Sequence, residues 1–85
     1  MAKSSAHATH PAVVARLRRA GGHLAAVIAM IEAGRPCAEI AQQLHAVEKA
    51  VGNAKRTLIH DHMDHCLGDR GEADIAELRA IARYL

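Results

Sequence analysis

Two runs of apolar residues, spaced alternately four and three apart, leave few folds open to this chain. The first is Val13, Leu17, Ala20, Leu24, Val27 and Ile31; the second is Ile40, Leu44, Val47, Val51, Ala54 and Leu58. Such spacing keeps returning to one side of an α-helix and does not suit a strand, whose side chains alternate at every residue. Both runs read as heptad-like seams over which another helix packs. Gly34-Arg35-Pro36 separates them, since glycine ends a helix readily and proline fits a helix start. The sequence thus predicts an all-α chain. Its first helix runs from His7 to Ala33, with Thr9 or His10 as the cap and Pro11 in the first turn. The second runs from about Pro36 to Leu67 and closes at Gly68. After a turn at Asp69-Arg70-Gly71, a short third helix from Glu72 carries Ile75, Leu78, Ala82 and Leu85 on one side. Gly21-Gly22 costs about 1 kcal/mol per glycine relative to alanine. The seam continues in phase beyond this pair, so close approach of a neighbouring helix is the expected reason for it.

Length sets the next limit. A chain of 85 residues buries only about 60–65% of its extended surface, which is marginal without a metal, a disulfide or a partner. There is no Phe or Trp, and Tyr84 is the single aromatic residue. Two long helices of this composition make a hairpin with too little interior of its own. Two copies pairing as an antiparallel four-helix bundle are the economical solution. The sequence holds no run of eighteen apolar residues to span a membrane. Met1-Ala2-Lys3-Ser4-Ser5 leads into His and Thr rather than a hydrophobic signal core. A cytoplasmic protein is expected, in which two cysteines point to metal or redox chemistry sooner than to a structural disulfide.

His62 and Cys66 lie four residues apart, one above the other on a helix face, where both can close on one ion. Cys37 begins the same helix, and 25 residues at 1.5 Å rise place it about 37 Å from His62. One straight helix cannot unite the three. A second copy running antiparallel can, giving a site that bridges subunits. Two thiolates and one imidazole suit Cu(I) in trigonal geometry, or Zn(II) if a fourth ligand completes a tetrahedron. An N-terminal arm over residues 1–9, with His7 as the possible fourth ligand, would favour Ni(II), Co(II) or Zn(II). Cys37 falls in the first helical turn, where the dipole favours an anionic ligand. His60 and His65 read as exposed or supporting residues, and His23 and His45 as packed or hydrogen-bonded ones.

Charge is unevenly spread. Residues 1–60 carry eight Lys or Arg against three Asp or Glu, whereas residues 61–85 carry three against six. Arg16 and Arg19 share a helix face, while Lys49 and Arg56 lie seven apart on the side of the second helix away from its seam. Repeated across an oligomer, such residues can follow phosphates, an arrangement that positions a protein on DNA without reading bases. No helix-turn-helix signature is present, because the Gly34-Arg35-Pro36 link joins two very long helices. Neither an acid–base pair nor a phosphate loop appears, so an enzyme is not expected.

The combination Arg16-Leu17, Gly22-His23-Leu24, Met30-Ile31-Glu32, Cys37, Gln42-Gln43-Leu44, Ala46-Val47, His60-Asp61-His62 and Cys66 resembles the copper-sensitive operon repressor family (CsoR/RcnR/FrmR). The resemblance covers about residues 10–85, read as one helical domain. It implies three helices per protomer, an antiparallel four-helix dimer and a disc-shaped homotetramer that binds operator DNA without metal and is released by an inducer. By resemblance, Cys37, His62 and Cys66 are the metal ligands and Glu77 is the acidic residue of the last helix that supports them. A Cys–His–Cys set is similar to that of Cu(I) sensors. Nickel and cobalt sensors of the family add an N-terminal nitrogen, whose position falls near Ser5, and formaldehyde or persulfide sensors react through the residue matching Cys37. Pro36 stands where several copper sensors carry a tyrosine, and Asn53 where some members carry a DNA-binding arginine. Arg16, Arg19, Lys49 and Arg56 remain the expected phosphate-binding residues.

Overall fold

A computed structural model of the protein describes residues 10–69 and 75–85, the side chains of residues 65–69 excepted. The chain is all-α, with helices α1 (His10–Glu32), α2 (Cys37–Asp69) and α3 (Ile75–Ala82), and no strand among the described residues. None of these helices is long and apolar enough to cross a membrane.

The turn between α1 and α2 follows from its residues. Gly34 takes a φ of 75°, a left-handed conformation that costs glycine nothing and other residues about 1–2 kcal/mol. That conformation lets the Gly34 N–H donate to the Ile31 carbonyl and the Arg35 N–H to the Met30 carbonyl, both at 3.0 Å. Two otherwise unpaired carbonyls at the helix end are satisfied in this way. Pro36 sits one place earlier than the sequence suggested. Its carbonyl accepts the Ile40 N–H at 3.1 Å, so Pro36 caps α2 and Cys37 is the first helical residue. Arg35 Nη2 reaches Glu39 Oε1 at 2.6 Å across this cap. At its far end α2 does not stop at Gly68 but continues to Asp69. The predicted first residues of the outer helices, His7 to Thr9 and Glu72 to Asp74, lie outside the described residues.

α1 and α2 pack antiparallel, as the hydrogen bonds Arg16–Thr57 and His23–Gln43 require. The buried apolar residues are Val13, Ala20, Val27, Val47, Ala54 and Ile59. They include three of the six residues of the first predicted seam and two of the six of the second, Ile59 lying outside both. Leu17, Leu24 and Ile31 on α1 and Leu44, Val51 and Leu58 on α2 remain 40–54% exposed, with Val14 and Ile28 beside them. The split is geometric. A step of four residues turns the helix by about 40°, so each seam is two rows, and one neighbouring helix covers one row. The protomer measures 53 × 24 × 15 Å, little more than one helix thick given a helix diameter of about 10–12 Å. Its radius of gyration is 16.8 Å, where a compact domain of this length would have about 12 Å. It is a plate rather than a globule.

The two faces of the plate differ. Residues three after the buried row (Arg16 and His23 on α1, Ala50 and Thr57 on α2) line one face. Residues four after it (Leu17, Leu24, Ile31, Val51 and Leu58) turn the other way and form the apolar face. α3 covers one end of α2, where Ile59 is buried although it lies off the seam. Leu78 and Ile81 are the half-buried residues of α3, whereas Ile75 and Leu85 of the predicted face are exposed. Gly21 and Gly22 do not serve a close approach inside the protomer, because a Cβ on either would meet nothing within 4 Å.

Candidate metal centre

α2 carries all three predicted ligands. Cys37, as first helical residue, is exposed and reduced. His62 lies 25 residues further along an unbroken helix, about 37 Å away at 1.5 Å per residue. The backbone of Cys66 follows one turn later in α2, and its side chain is outside the described atoms. Among the described residues of one protomer, no three His, Cys, Asp or Glu side chains converge closely enough to hold an ion. His62 and Cys66 are one helical turn apart, while Cys37 stands at the other end of α2.

His62 is held by α3. Its Nε2 lies 3.6 Å from Glu77 Oε2, with the imidazole only 20% exposed. A carboxylate on one ring nitrogen fixes the orientation of the ring and leaves the other, Nδ1, as the nitrogen suited to a metal. Glu77, carried over from the resemblance alone, is thus beside the histidine it was expected to support. Supporting carboxylates of this kind are worth about 10–100-fold in metal affinity. Glu77→Ala is expected to lose that factor in a chelator-competition titration, and Glu77→Gln, which keeps an acceptor oxygen, to recover part of it. Unchanged affinity in Glu77→Ala would show that the carboxylate does not orient a ligand.

Around this pair lies a pocket of about 680 Å³, lined by His10, Lys55, Leu58, Ile59, His62, Glu77, Ala80, Ile81 and Tyr84. Sequence reading missed the parts played here by His10, Lys55 and Tyr84. Only the meeting of three helices brings them together. The possible fourth ligand His7 lies outside the described residues.

The opposite face holds three of the four expected phosphate-binding residues. Arg16, Arg19 and Arg56 line one groove of about 740 Å³ with Ala20, His23, Ala50, Asn53 and Thr57. Arg16 Nη1 donates to the Thr57 hydroxyl at 3.3 Å, and Arg56 Nη2 donates to Asn53 Oδ1. His23 and Gln43 are hydrogen-bonded at 2.7 Å across the hairpin, the role expected for His23. His45 is exposed, with Nδ1 3.9 Å from Glu48 Oε1. Lys49, grouped with the arginines from sequence, does not line the groove. Asn53 and Thr57 do, and the one-turn spacing of Asn53 and Thr57 was the signal available for them.

The family model for metal-sensitive transcriptional repressors matches residues 9–84. The copper-sensing transcriptional repressor CsoR of Mycobacterium ulcerans (strain Agy99) is 38% identical over 72 residues, which cover 79% of this chain and 62% of the relative. CsoR of Bacillus subtilis (strain 168) is 37% identical over 68 residues, covering 74% of this chain and 67% of that protein. The copper-sensing repressor RicR of Mycobacterium tuberculosis (strain ATCC 25618 / H37Rv) is 33% identical over 78 residues, or 82% and 81% of the two chains. The chain therefore spans a little under two thirds of the length of the M. ulcerans relative. No solved structure matches the chain.

Proposed function

Because the chain belongs to the metal-sensitive transcriptional repressor family, we propose that it is a cytoplasmic Cu(I)-responsive repressor whose metal site joins two protomers. The observation that carries this reading is the symmetry of the exposed row on α2. Leu44 and Leu58 each lie seven residues from Val51, and all three are uncovered in the protomer. Two copies of α2 packed antiparallel about Val51 set Leu44 of each against the partner's Leu58, as an isologous twofold interface demands. In that register Cys37 is level with residue 65 of the partner. It is then about 1.5 Å along the axis from the level of the partner's Cys66 and about 4.5 Å from that of the partner's His62. The pairing that covers the apolar row also unites the three donors.

The donor set fits the ion. Two thiolates and the Nδ1 of His62 form a soft three-coordinate site suited to Cu(I). When bound, the ion supplies a cross-link between the start of α2 in one protomer and its end in the other. Glu77 keeps the His62 ring in place, and α3 is thereby tied to the ligand set.

Two such dimers forming a homotetramer repeat the Arg16–Arg19–Arg56 groove on surfaces turned away from the apolar faces. Operator DNA is the partner proposed for it. Asn53 stands where a positive charge is missing, and its carbonyl oxygen holds the Arg56 guanidinium in the same groove. Arg16→Ala and Arg56→Ala are each expected to weaken operator binding and lower its salt dependence. Each neutralised phosphate contributes about 0.9 to the slope of log K against log salt concentration, so the slope falls by about that much for every phosphate left without its arginine. Fluorescence anisotropy at several salt concentrations tests this. An unchanged slope in both variants would remove the groove from the DNA-binding surface.

The exposure of Cys37 favours one further reading, a formaldehyde or persulfide sensor in which that thiol is modified. Mass added at Cys37 together with metal-free release of DNA distinguishes it. For a Ni(II) or Co(II) sensor, charge-transfer absorption in the visible is the discriminating sign, since Cu(I) sites are colourless.

A further inference from the structure

Resting on the reading of the arginine groove as the DNA-binding surface, we propose that His23 is a further phosphate-binding residue there, and that it holds a phosphate only as the imidazolium. Arg16, Arg19 and His23 follow one another at steps of three and four residues, so they share one face of α1. With Arg56 of α2 they line the same groove of about 740 Å³. Of the described residues, no Asp or Glu lines it. His23 is half-buried, and its Nε2 is 2.7 Å from Gln43 Oε1. An amide oxygen only accepts, so Nε2 carries a proton and donates it. Nδ1 is then the second ring nitrogen, a lone pair in the neutral imidazole and a donor only in the cation.

The bond to Gln43 therefore makes DNA binding sensitive to a proton. A neutral ring offers a phosphate oxygen a lone pair, whereas the cation offers an N–H and a charge. Protonation strengthens DNA binding, and DNA favours protonation by the same factor. Histidine changes charge between about pH 5 and 8, so operator affinity rises as pH falls through that range. The charged groups that share the groove with His23 are Arg16 and Arg19 of its own helix and Arg56 of α2. Guanidinium groups keep their charge throughout. Glu39, one turn before Gln43 on α2, is paired with Arg35, and no described residue of α3 lines the groove. His60 lies with Asp61 and Asp64 in an adjoining pocket that shares Arg56 and Thr57, and is the other imidazole to be separated from His23.

Anisotropy of a labelled fragment from upstream of the gene, at pH 6 and pH 8 and several salt concentrations, tests the proposal on the reduced, metal-free full-length protein. Wild type is compared with His23→Gln, His60→Gln, Arg16→Ala and Arg56→Ala. Glutamine places an amide N–H as many bonds from the backbone as the imidazole Nε2, so it keeps the donor to Gln43 and cannot take up a proton. Each proton taken up on binding is worth up to about tenfold in affinity per pH unit. The advantage of wild type over His23→Gln is expected to grow by at least about fivefold from pH 8 to pH 6. At pH 6 the salt slope of wild type exceeds that of His23→Gln by about 0.9 for each phosphate that His23 holds. His60→Gln keeps the wild-type pH dependence. Calorimetry of wild type at pH 7, in buffers of different ionisation heat, is expected to show proton uptake on binding DNA. Four results overturn the proposal: wild-type pH dependence in His23→Gln, its loss in His60→Gln instead, an equal loss of affinity by His23→Gln at both pH values, or no proton uptake by wild type. An unchanged salt slope in both Arg16→Ala and Arg56→Ala would instead remove the groove from the DNA-binding surface, and His23 with it.

Discussion

Cys37→Ala will bind operator DNA as wild type does and will not release it when Cu(I) is added. The groove of Arg16, Arg19 and Arg56 and the row of Leu44, Val51 and Leu58 lie on opposite faces of the plate, so removing a thiol from one leaves the other intact. On the proposed function, metal and DNA oppose each other in wild type, and couplings of this kind are typically about 1–3 kcal/mol, or roughly 5–150-fold in affinity. The same factor must appear whichever ligand is varied, because linkage is reciprocal. In Cys37→Ala it shrinks to within about twofold, as one end of the cross-link is gone. Anisotropy of a labelled fragment from upstream of the gene, with and without Cu(I), reads both quantities. Failure of this variant to bind DNA without metal would contradict the division between the two faces.

Val51→Glu carries the second large effect, on assembly. Glutamate is a good helix former, so the substitution spares α2 and acts on its uncovered face. Val51 lies at the centre of the apolar row and is 44% exposed in the isolated protomer. On a twofold axis a single substitution places two carboxylates face to face. An unpaired buried charge costs several kcal/mol, so the dimer dissociation constant should rise by about a thousandfold or more, equivalent to about 4 kcal/mol. Sedimentation and circular dichroism at micromolar concentration are expected to show monomer with reduced helix content, because the plate has little core of its own. Gln42→Glu, on the exposed polar side of the same helix, should leave assembly unchanged. A Val51→Glu protein that sediments as wild type would place the interface elsewhere.

Much of the fold was legible in the residues, and the exceptions have physical causes. The four–three spacing gave both long helices, and Gly34 gave the turn, since its left-handed conformation is the property that singles glycine out. The same spacing did not reveal that each seam would be split between two neighbours. Val13 and Leu17 look alike in sequence, yet one is buried and the other 43% exposed, because helix phase decides which partner each meets. Gly68 failed as a stop. Glycine permits a helix end without compelling one, and α2 continues past it. Ile59 was missed because the helix that covers it is short and distant in sequence. Of the candidate site, the helix that carries His62 and Cys66 one turn apart was legible from spacing alone. The His62–Glu77 pairing came from resemblance, and the pocket that His10, Lys55 and Tyr84 line with His62 needed the packing of three helices. Lys49 was grouped with Arg56 by its seven-residue spacing, but the groove is lined by Arg16 and Arg19 of α1 with Arg56 and not by Lys49.

The central claim is that one site draws its donors from two chains, and subunit mixing tests it most directly. Cys37→Ser and the double variant His62→Ala/Cys66→Ser each lack part of every site, so neither should bind Cu(I) tightly alone. Unfolded and refolded together, they form mixed dimers in which one site regains all three donors. Random pairing then restores roughly a quarter of wild-type tight-binding capacity, measured by Cu(I) titration against a competing chelator. No recovery on mixing, or full tight binding by either variant alone, would contradict a metal site shared between protomers.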